Sequence, residues 1–418
     1  MAPVLTLQQI APQASSNDAV VGGAVTGDVR AIAAWGSAGC GSNAAEWVRV
    51  FSTPADDWPS LAITPDCGAL APTFRANVPG NPTLQEHWDY ALSPGGGVSG
   101  PIKEQTSAAN LLDPVINPVS GEVIVHNFDG YHPAIEAYSG GVQVRSKSFC
   151  SDCVINRHHA IASDGRIAIT VTRSGPTSPG GELHVLDSNF AEAFMLATPH
   201  KVGVLGASFY SDGDLAVVFD GYDVFSLFGE QFGAPSKATL VITRITPAGS
   251  PLWKIPITTN SLDGASLSIS ADDRLLVGVS YQGEFTFAGH TFPDYGASRF
   301  GTPIVLALSG DGSPLFGLEG SDIAGVFRAA PDGRFVVLKD TGPGCSVDLG
   351  IFNRNGTKES DRSFKAANCG SDSVYFWGAE FAPDGTLYVA GSFFGTATFL
   401  GQTFSSDRND AFVMRLRP

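Results

Sequence analysis

The sequence has few charged residues and few signals for helices. Only 16% of its 418 residues are Asp, Glu, Lys or Arg, whereas 43% are hydrophobic. This balance excludes general disorder, because a chain with so much apolar material can bury a large core. No stretch approaches the 18 or more consecutive apolar residues that a membrane-spanning helix needs, so we predict no membrane insertion.

Basic residues and the motifs of common enzymes are also scarce. Lys and Arg number 25 against 41 Asp and Glu, which gives a formal charge of -16. An acidic surface repels phosphate backbones, so nucleic acid is not an expected partner. No Gly-x-Ser-x-Gly elbow, phosphate-binding loop or His-Glu-x-x-His motif is present. The sequence therefore offers no convincing nucleophile, and we expect binding rather than catalysis.

Cysteine is rare but even in number. The six cysteines form three groups that are local in sequence. We predict that each group forms a disulfide: Cys40 with Cys67, Cys150 with Cys153, and Cys345 with Cys369. Such bridges indicate an oxidising, extracytoplasmic compartment, although six buried thiols in a cytoplasmic protein are the alternative. Residues 1–3 lack the basic and apolar segments of a signal peptide, so we expect that an export signal is absent from this sequence.

What the sequence does contain is one recurring corner between short apolar runs. It is cleanest at Asp384-Gly385, between residues 379–382 and 386–390. An Asp-Gly pair in this setting predicts a β-hairpin, because a tight turn needs a residue that tolerates positive φ. The corner has eight copies, marked by Gly27, Gly68, Gly121, Gly165, Gly213, Asp273, Gly333 and Gly385.

The spacing of these corners predicts the fold class. Neighbouring copies are about 41 to 60 residues apart, which is close to the length of a four-stranded propeller blade. We therefore predict an all-β chain that forms a single β-propeller domain over residues 1–418, with eight four-stranded blades and seven as the alternative. The predicted blades cover residues 17–58, 59–107, 108–148, 154–198, 202–258, 262–320, 322–367 and 373–418.

The two ends of the chain are expected to close this ring. Residues 4–10 read as an isolated strand that ends before Pro12, and they have no hairpin partner nearby. At the other end, residues 411–418 finish the chain where every other repeat still has a strand to follow. We predict that the N-terminal strand pairs with the last blade and leaves no open edge.

The later repeats resemble a known kind of propeller. Gly391-Ser392-Phe393-Phe394-Gly395 continues through residues 396–404, and the same frame returns at residues 283–292 and 225–232. These repeats resemble the β-propeller repeat proteins that Gram-negative bacteria, myxobacteria especially, secrete. The resemblance implies an extracytoplasmic propeller and no single activity.

One loop face is the candidate ligand site. Two predicted blades have a matching element directly after their second strand, and a histidine lies near the first of these elements. The candidate residues are His126, Asp129, Tyr131, His132, Asp220, Tyr222 and Asp223. Aromatic rings with carboxylates suit a glycan, so we predict an exported cell-surface or binding module for a glycan or protein ligand. The alternative function is a glycan-acting hydrolase or lyase that uses these His and Asp residues. If these elements have no role in binding, they are ordinary turns that an aromatic side chain covers.

No cofactor is predicted. Cys150 and Cys153 precede Arg157, His158 and His159, but the spacing of a zinc finger is missing, so a local disulfide clip is favoured over a metal site or redox chemistry. Acidic turns such as residues 212–214 and 311–312 leave calcium as an alternative, although none has the twelve-residue calcium-binding loop that ends in a bidentate Glu.

Overall fold

The computed structural model describes residues 6–10, 45–52, 56–64, 66–76, 86–106, 110–128, 133–139, 142–149, 153–155, 159–173, 180–294, 302–319, 327–340 and 344–417. These residues form a β-propeller made of 35 strands, and no helix occurs among them. Accordingly, none of the described segments is a helix long and apolar enough to span a membrane. The predicted all-β propeller is confirmed.

Five blades are separate sheets, and their strands follow the first two strands, β1 (Thr6–Ile10) and β2 (Trp47–Ser52). The first blade contains β3 (Asp56–Pro59), β4 (Ala62–Ile63), β5 (Ala69–Ala76), β6 (Glu86–Leu92) and β7 (Val98–Thr106). The second contains β8 (Asn110–Ile116), β9 (Val123–Phe128), β10 (Ala134–Ser139) and β11 (Val142–Ser148). The third contains β12 (Cys153–Ile155), β13 (Ala160–Ile161), β14 (Ile167–Arg173), β15 (Gly181–Leu186) and β16 (Glu192–Ala197).

The fourth and fifth blades each have an extra hairpin. The fourth contains β17 (Val202–Phe209), β18 (Leu215–Tyr222), β21 (Ala238–Ile245) and β22 (Pro251–Thr259), with the hairpin β19 (Phe225–Leu227) and β20 (Glu230–Phe232). The fifth contains β23 (Ser261–Ile269), β24 (Leu275–Gln282), β27 (Thr302–Leu308) and β28 (Pro314–Glu319), with the hairpin β25 (Phe285–Phe287) and β26 (His290–Phe292).

The rest of the ring is one nine-stranded sheet. Its remaining strands are β29 (Phe327–Ala329), β30 (Phe335–Asp340), β31 (Ser346–Phe352), β32 (Lys358–Ala366), β33 (Ser373–Phe381), β34 (Leu387–Phe399) and β35 (Gln402–Leu416). Their order is β1-β2-β35-β34-β32-β31-β30-β29. β33 pairs with the first part of β34, on the side opposite β35, and β32 pairs with the last part of β34 on that same side.

The predicted number of blades, eight or alternatively seven, is wrong, because the structure has five separate blades. The reason lies in the length of the last hairpin, whose strands β34 and β35 have 13 and 15 residues. The far end of β34 reaches β32, where Ala397 pairs with Ala366 and Thr398 with Lys365. Strands that were expected to form separate final blades are thus hydrogen-bonded into one sheet.

Ring closure also differs from the prediction. The strand that pairs with the C-terminal strand β35 is β2, with Trp47 opposite Arg415 and Phe51 opposite Ala411. The N-terminal strand β1 pairs with β2 instead and lies at the edge of the sheet. A strand inside the sheet needs apolar side chains on both faces, and β2 supplies them: Val48 and Val50 enter one core cluster, and Trp47 and Phe51 enter another.

The inner strands surround the axis of the propeller. Strands β4, β8, β13, β17, β23, β29 and β33 contact one another in this order, and β33 contacts β4. Six of the described corners have positive φ at the predicted residue, as at Gly333 (84°) and Gly385 (79°), whereas at the corner of Gly68 the residue with positive φ is Cys67 (64°). The corner at Gly27 lies outside the described residues. Each inner strand runs toward its corner, so all corners gather at one end of the axis, which we call the corner end.

Candidate functional site

A cavity of about 410 Å³ lies on the axis of the propeller. In the fourth blade its lining residues are Ala207 and Ser208, which lie beside the corner, whereas Val202 lies at the other end of the same strand. Residues 267–271, 328–331 and 380–381 line it from equivalent positions in their own inner strands. The cavity therefore lies toward the corner end, and its size is typical of a small-molecule site, about 300–1,000 Å³.

An ion pair lines one side of this cavity. Arg328 of β29 donates from Nε to Oε1 of Glu380 on β33 at 2.6 Å. About a fifth of the Arg328 side chain (21%) and a third of the Glu380 side chain (35%) remain exposed. Because the two opposite charges lie together, this wall offers adjacent donors and acceptors without a net charge.

Trp377 is the large aromatic side chain on the same wall. It is the residue at a β-bulge in β33, since Phe376 pairs with Gly391 and Gly378 pairs with Ala390. Its indole Nε1 donates to Oγ of Ser392 at 2.9 Å, and the residue remains 45% exposed. Bulges redirect side chains, and this one places a half-exposed indole, anchored at its polar edge, in the lining of the cavity.

The opposite wall is mainly apolar. It includes Pro114 and Val115 of β8 and Ile161 of β13. His159, which is 7% exposed, also lines the cavity, and its ring lies 6.1 Å from that of His126 in an edge-on arrangement. The cavity thus has one wall with charged and aromatic groups and another that is largely hydrocarbon.

Hydrogen bonds between neighbouring blades hold the corner end together. Ser211, in the corner of the fourth blade, donates from its backbone N to Asp273 in the fifth at 2.8 Å. Arg244 of the fourth blade donates to the carbonyl of Gly310 in the fifth at 2.9 Å and also pairs with Asp214. These bonds fix the positions of adjacent inner strands, and therefore the shape of the cavity.

One carboxyl at this end is also bound from several directions. Burial alone would raise the pKa of Asp272, but a hydrogen bond from Ser270 and the guanidinium groups of Arg274 and Arg354 hold that pKa below its ordinary value. The carboxylates of the corner end are therefore largely committed to structural contacts.

The loop-face residues predicted as the ligand site do not line the cavity. Tyr222 ends β18 opposite the start of β17, far from the corner end, and is 50% exposed. Asp223 accepts a hydrogen bond from the backbone of Ser236 at 2.8 Å and lies 3.8 Å from Lys201. Asp129, Tyr131 and His132 lie outside the described residues. Of the predicted set, His126 lies next to the cavity, because its ring contacts His159.

Asp220 has a structural environment rather than that of an exposed loop residue. Its carboxyl oxygen Oδ1 is 2.2 Å from the place where a Cβ on Gly203 would lie, so the two strands meet closely there. Burial raises the pKa of the Asp220 carboxyl, opposed by the backbone amides of Asp220 and Gly203.

The raised pKa predicts a pH-dependent effect of Asp220→Asn. The folded state binds this proton more tightly than the unfolded state, so ionised Asp220 lowers stability above its folded pKa. We expect the variant to melt roughly a few degrees higher than the wild type at pH 7. The gain should vanish as the pH falls below the ordinary Asp pKa of about 3.9. Thermal unfolding between pH 3 and 7 measures this, with Asp223→Asn as the control that shows no gain. A difference that stays constant with pH would contradict the explanation.

The cysteines support the disulfide prediction in part. The Cys345–Cys369 bridge is confirmed and links the start of β31 to the segment before β33. Cys67 and Cys153 are both disulfide-bonded as well. Their predicted partners, Cys40 and Cys150, lie outside the described residues, so those two pairings stay predictions. Within the part of the chain that the structure describes, no group of three His, Cys, Asp or Glu side chains could hold a metal ion.

Comparison with known proteins finds distant likenesses among solved structures. No protein-family model matches the chain, and no curated protein matches it. A chain of the mitotic checkpoint complex is 13% identical, with 98% of each chain covered and a TM-score of 0.52. The Dos1 propeller is 11% identical over 86% of this chain and 92% of its own, with a TM-score of 0.49. The β-propeller domain of the trilobed protease from Pyrococcus furiosus is 11% identical over 84% and 96%, with a TM-score of 0.48. At these identities the likeness concerns the fold alone and leaves the function open.

Proposed function

We propose that this chain is an exported binding module that holds a small polar ligand in the central cavity. The observation on which the proposal depends is the wall formed by Trp377, Arg328 and Glu380, which faces apolar side chains across a cavity that serines also line. Concave sites with an apolar lining and a few convergent polar groups are typical of ligand-binding sites. The indole is anchored by Ser392 and the ion pair is formed without a ligand, so little ordering is needed on binding.

The cysteines support the exported location. The Cys345–Cys369 bridge, with two further cysteines that are disulfide-bonded, is typical of proteins from oxidising compartments. Mass spectrometry of the protein isolated from its source without reductant should find this bridge intact. Reduced Cys345 and Cys369 in that preparation would contradict export.

A cavity-filling variant tests the position of the site. Ser208→Trp places an indole in the cavity from β17, where the serine side chain lines open space. Saturation-transfer NMR with maltotriose, choline and citrate as probes should show that at least one of them binds the wild type. We expect that probe to lose its signal in Ser208→Trp, because its affinity falls about tenfold or more.

Tyr222→Ala is the control, because it removes an exposed aromatic residue from the loop end and leaves the cavity unchanged. We expect Tyr222→Ala to bind the same probe as the wild type and to melt near the wild-type temperature, since exposed positions change stability by about 0.5 kcal/mol at most. Ser208 is half-buried, so the melting temperature of Ser208→Trp is measured beside its binding to show that the variant is folded. Binding that survives in Ser208→Trp, or that disappears in Tyr222→Ala, would move the site to the loop face. If none of the three probes binds the wild type, the cavity is not a site for small polar ligands.

A further inference from the structure

The wall of the cavity also indicates the chemical class of the ligand. We infer that the cavity binds a neutral sugar residue of a glycan, stacked on Trp377 with its hydroxyl groups on Arg328 and Glu380. This inference depends on the proposed function, because it names the ligand of the same cavity.

The aromatic side chain supplies the first argument. A sugar ring has an apolar face of C–H groups, and a flat, half-exposed indole is a surface against which such a face packs. Trp377 cannot turn its polar edge toward a ligand without losing the hydrogen bond to Ser392 at 2.9 Å. Tyr375 lies beside it, with ring centroids 6.0 Å apart and planes tilted by 33°. The group that the cavity offers is therefore the face of the ring.

The ion pair supplies the second argument. Neighbouring hydroxyls on a sugar each donate and accept hydrogen bonds, so they fit a wall where a donor and an acceptor are adjacent. Arg328 and Glu380 provide this arrangement at a separation of 2.6 Å. An anionic ligand would meet the Glu380 carboxylate, and a cationic ligand would meet the Arg328 guanidinium. The paired charges thus favour a neutral ligand over either.

The other lining residues agree with a hydroxyl-rich ligand of modest size. Ser208 comes from β17 and Ser268 from β23, the two inner strands that precede β29 in the ring, and Ser270 follows β23 directly. Their hydroxyl groups are neutral. Ser268 Oγ already accepts the backbone N–H of Ala329 at 2.9 Å, which fixes the spacing between β23 and β29. Ala207 and Ala329 leave space because their side chains are short.

Isothermal titration with oligosaccharides of matched length tests the inference. The probes are maltotriose and cellotriose as neutral sugars, a glucosamine trimer as the cation and a galacturonate trimer as the anion. We expect a neutral trimer to bind the wild type about tenfold or more tightly than either charged one. Trp377→Ala should weaken that binding about tenfold, and Trp377→Phe, which keeps an aromatic face, should weaken it less. Phe394→Ala, which removes another exposed aromatic residue from the adjacent strand β34, is the control and should bind as the wild type does.

Glu380→Gln gives the sharpest outcome, because it removes the negative charge beside Arg328 at nearly constant side-chain volume. We expect weaker binding of the neutral trimer and a gain of about tenfold for the galacturonate trimer. Ser208→Trp must abolish binding of each sugar that is assigned to the cavity. If a charged trimer binds best and loses its binding in Ser208→Trp, the cavity is a binding site but the inference of a neutral sugar is wrong. Neutral binding that is insensitive to Trp377→Ala also overturns the inference. If Ser208→Trp changes the binding of none of the probes, both the proposed function and the inference about the ligand are wrong.

Discussion

Replacing Val50 by aspartate is expected to unfold the propeller or lower its melting temperature by about five degrees or more. Val50 is 2% exposed in the middle of β2 and lies opposite Phe412 of the C-terminal strand. A carboxylate there would be buried among apolar side chains without a partner, which costs at least about 4 kcal/mol. Thermal unfolding followed by circular dichroism measures the loss.

Two comparisons make this result specific for ring closure. Val142→Asp makes the same change on the outer strand β11, where the side chain is 64% exposed, and should alter stability by about 0.5 kcal/mol at most. Deletion of residues 1–10 removes β1, which pairs with β2 at the edge of the sheet, and should cost much less than Val50→Asp. If the deletion unfolds the protein while Val50→Asp melts normally, β1 rather than β2 closes the ring.

The fold could be predicted from the sequence because its local signals are strong. The Asp-Gly corners require positive φ, and Gly165, Gly213, Gly333 and Gly385 have it. The number of blades could not be predicted in this way, because a corner marks a hairpin and not the edge of a sheet. Whether Thr398 of one hairpin pairs with Lys365 of another is a long-range contact that no local pattern encodes. The strand that closes the ring could not be predicted either, because β1 and β2 both have the sequence pattern of a strand.

The site was missed for a different reason. The predicted site residues lie on variable loops, whereas the cavity is lined by inner strands. A signal was present: aligned on the Asp of each corner, the residue four positions earlier is Ser208, Ser268, Arg328 and Glu380 in successive repeats. Every one of these residues lines the cavity. An Arg and a Glu at the same position of neighbouring repeats could have indicated an ion pair on the axis. Trp377 could not have been found from this alignment of the corners, because its exposure depends on the bulge in β33.

Phe412→Ala is expected to lower the free energy of unfolding by about 3–5 kcal/mol. Phe412 is fully buried in β35, and its ring centroid lies 4.4 Å from that of Phe399 and 5.3 Å from that of Phe376. Its ring also occupies the space beside Gly391, where a Cβ would lie 2.5 Å from Phe412 Cζ. Truncation therefore removes several aromatic contacts and leaves a cavity that the rigid strands on both sides cannot fill.

The position of Phe412 explains why its loss should exceed that of other phenylalanines. It pairs with Val50 on one side and Gly391 on the other, so it lies where the chain ends are joined. Phe394→Ala, one residue beyond Phe393 on the adjacent strand and 39% exposed, is the matched control and should cost less than about 1 kcal/mol. Chemical denaturation of both variants gives the two values on one scale. Equal losses would show that the buried ring of Phe412 adds nothing to stability at the closure, whereas the expected difference of at least about 2 kcal/mol would show that its burial holds the C-terminal strand in addition to the hydrogen bonds to β2.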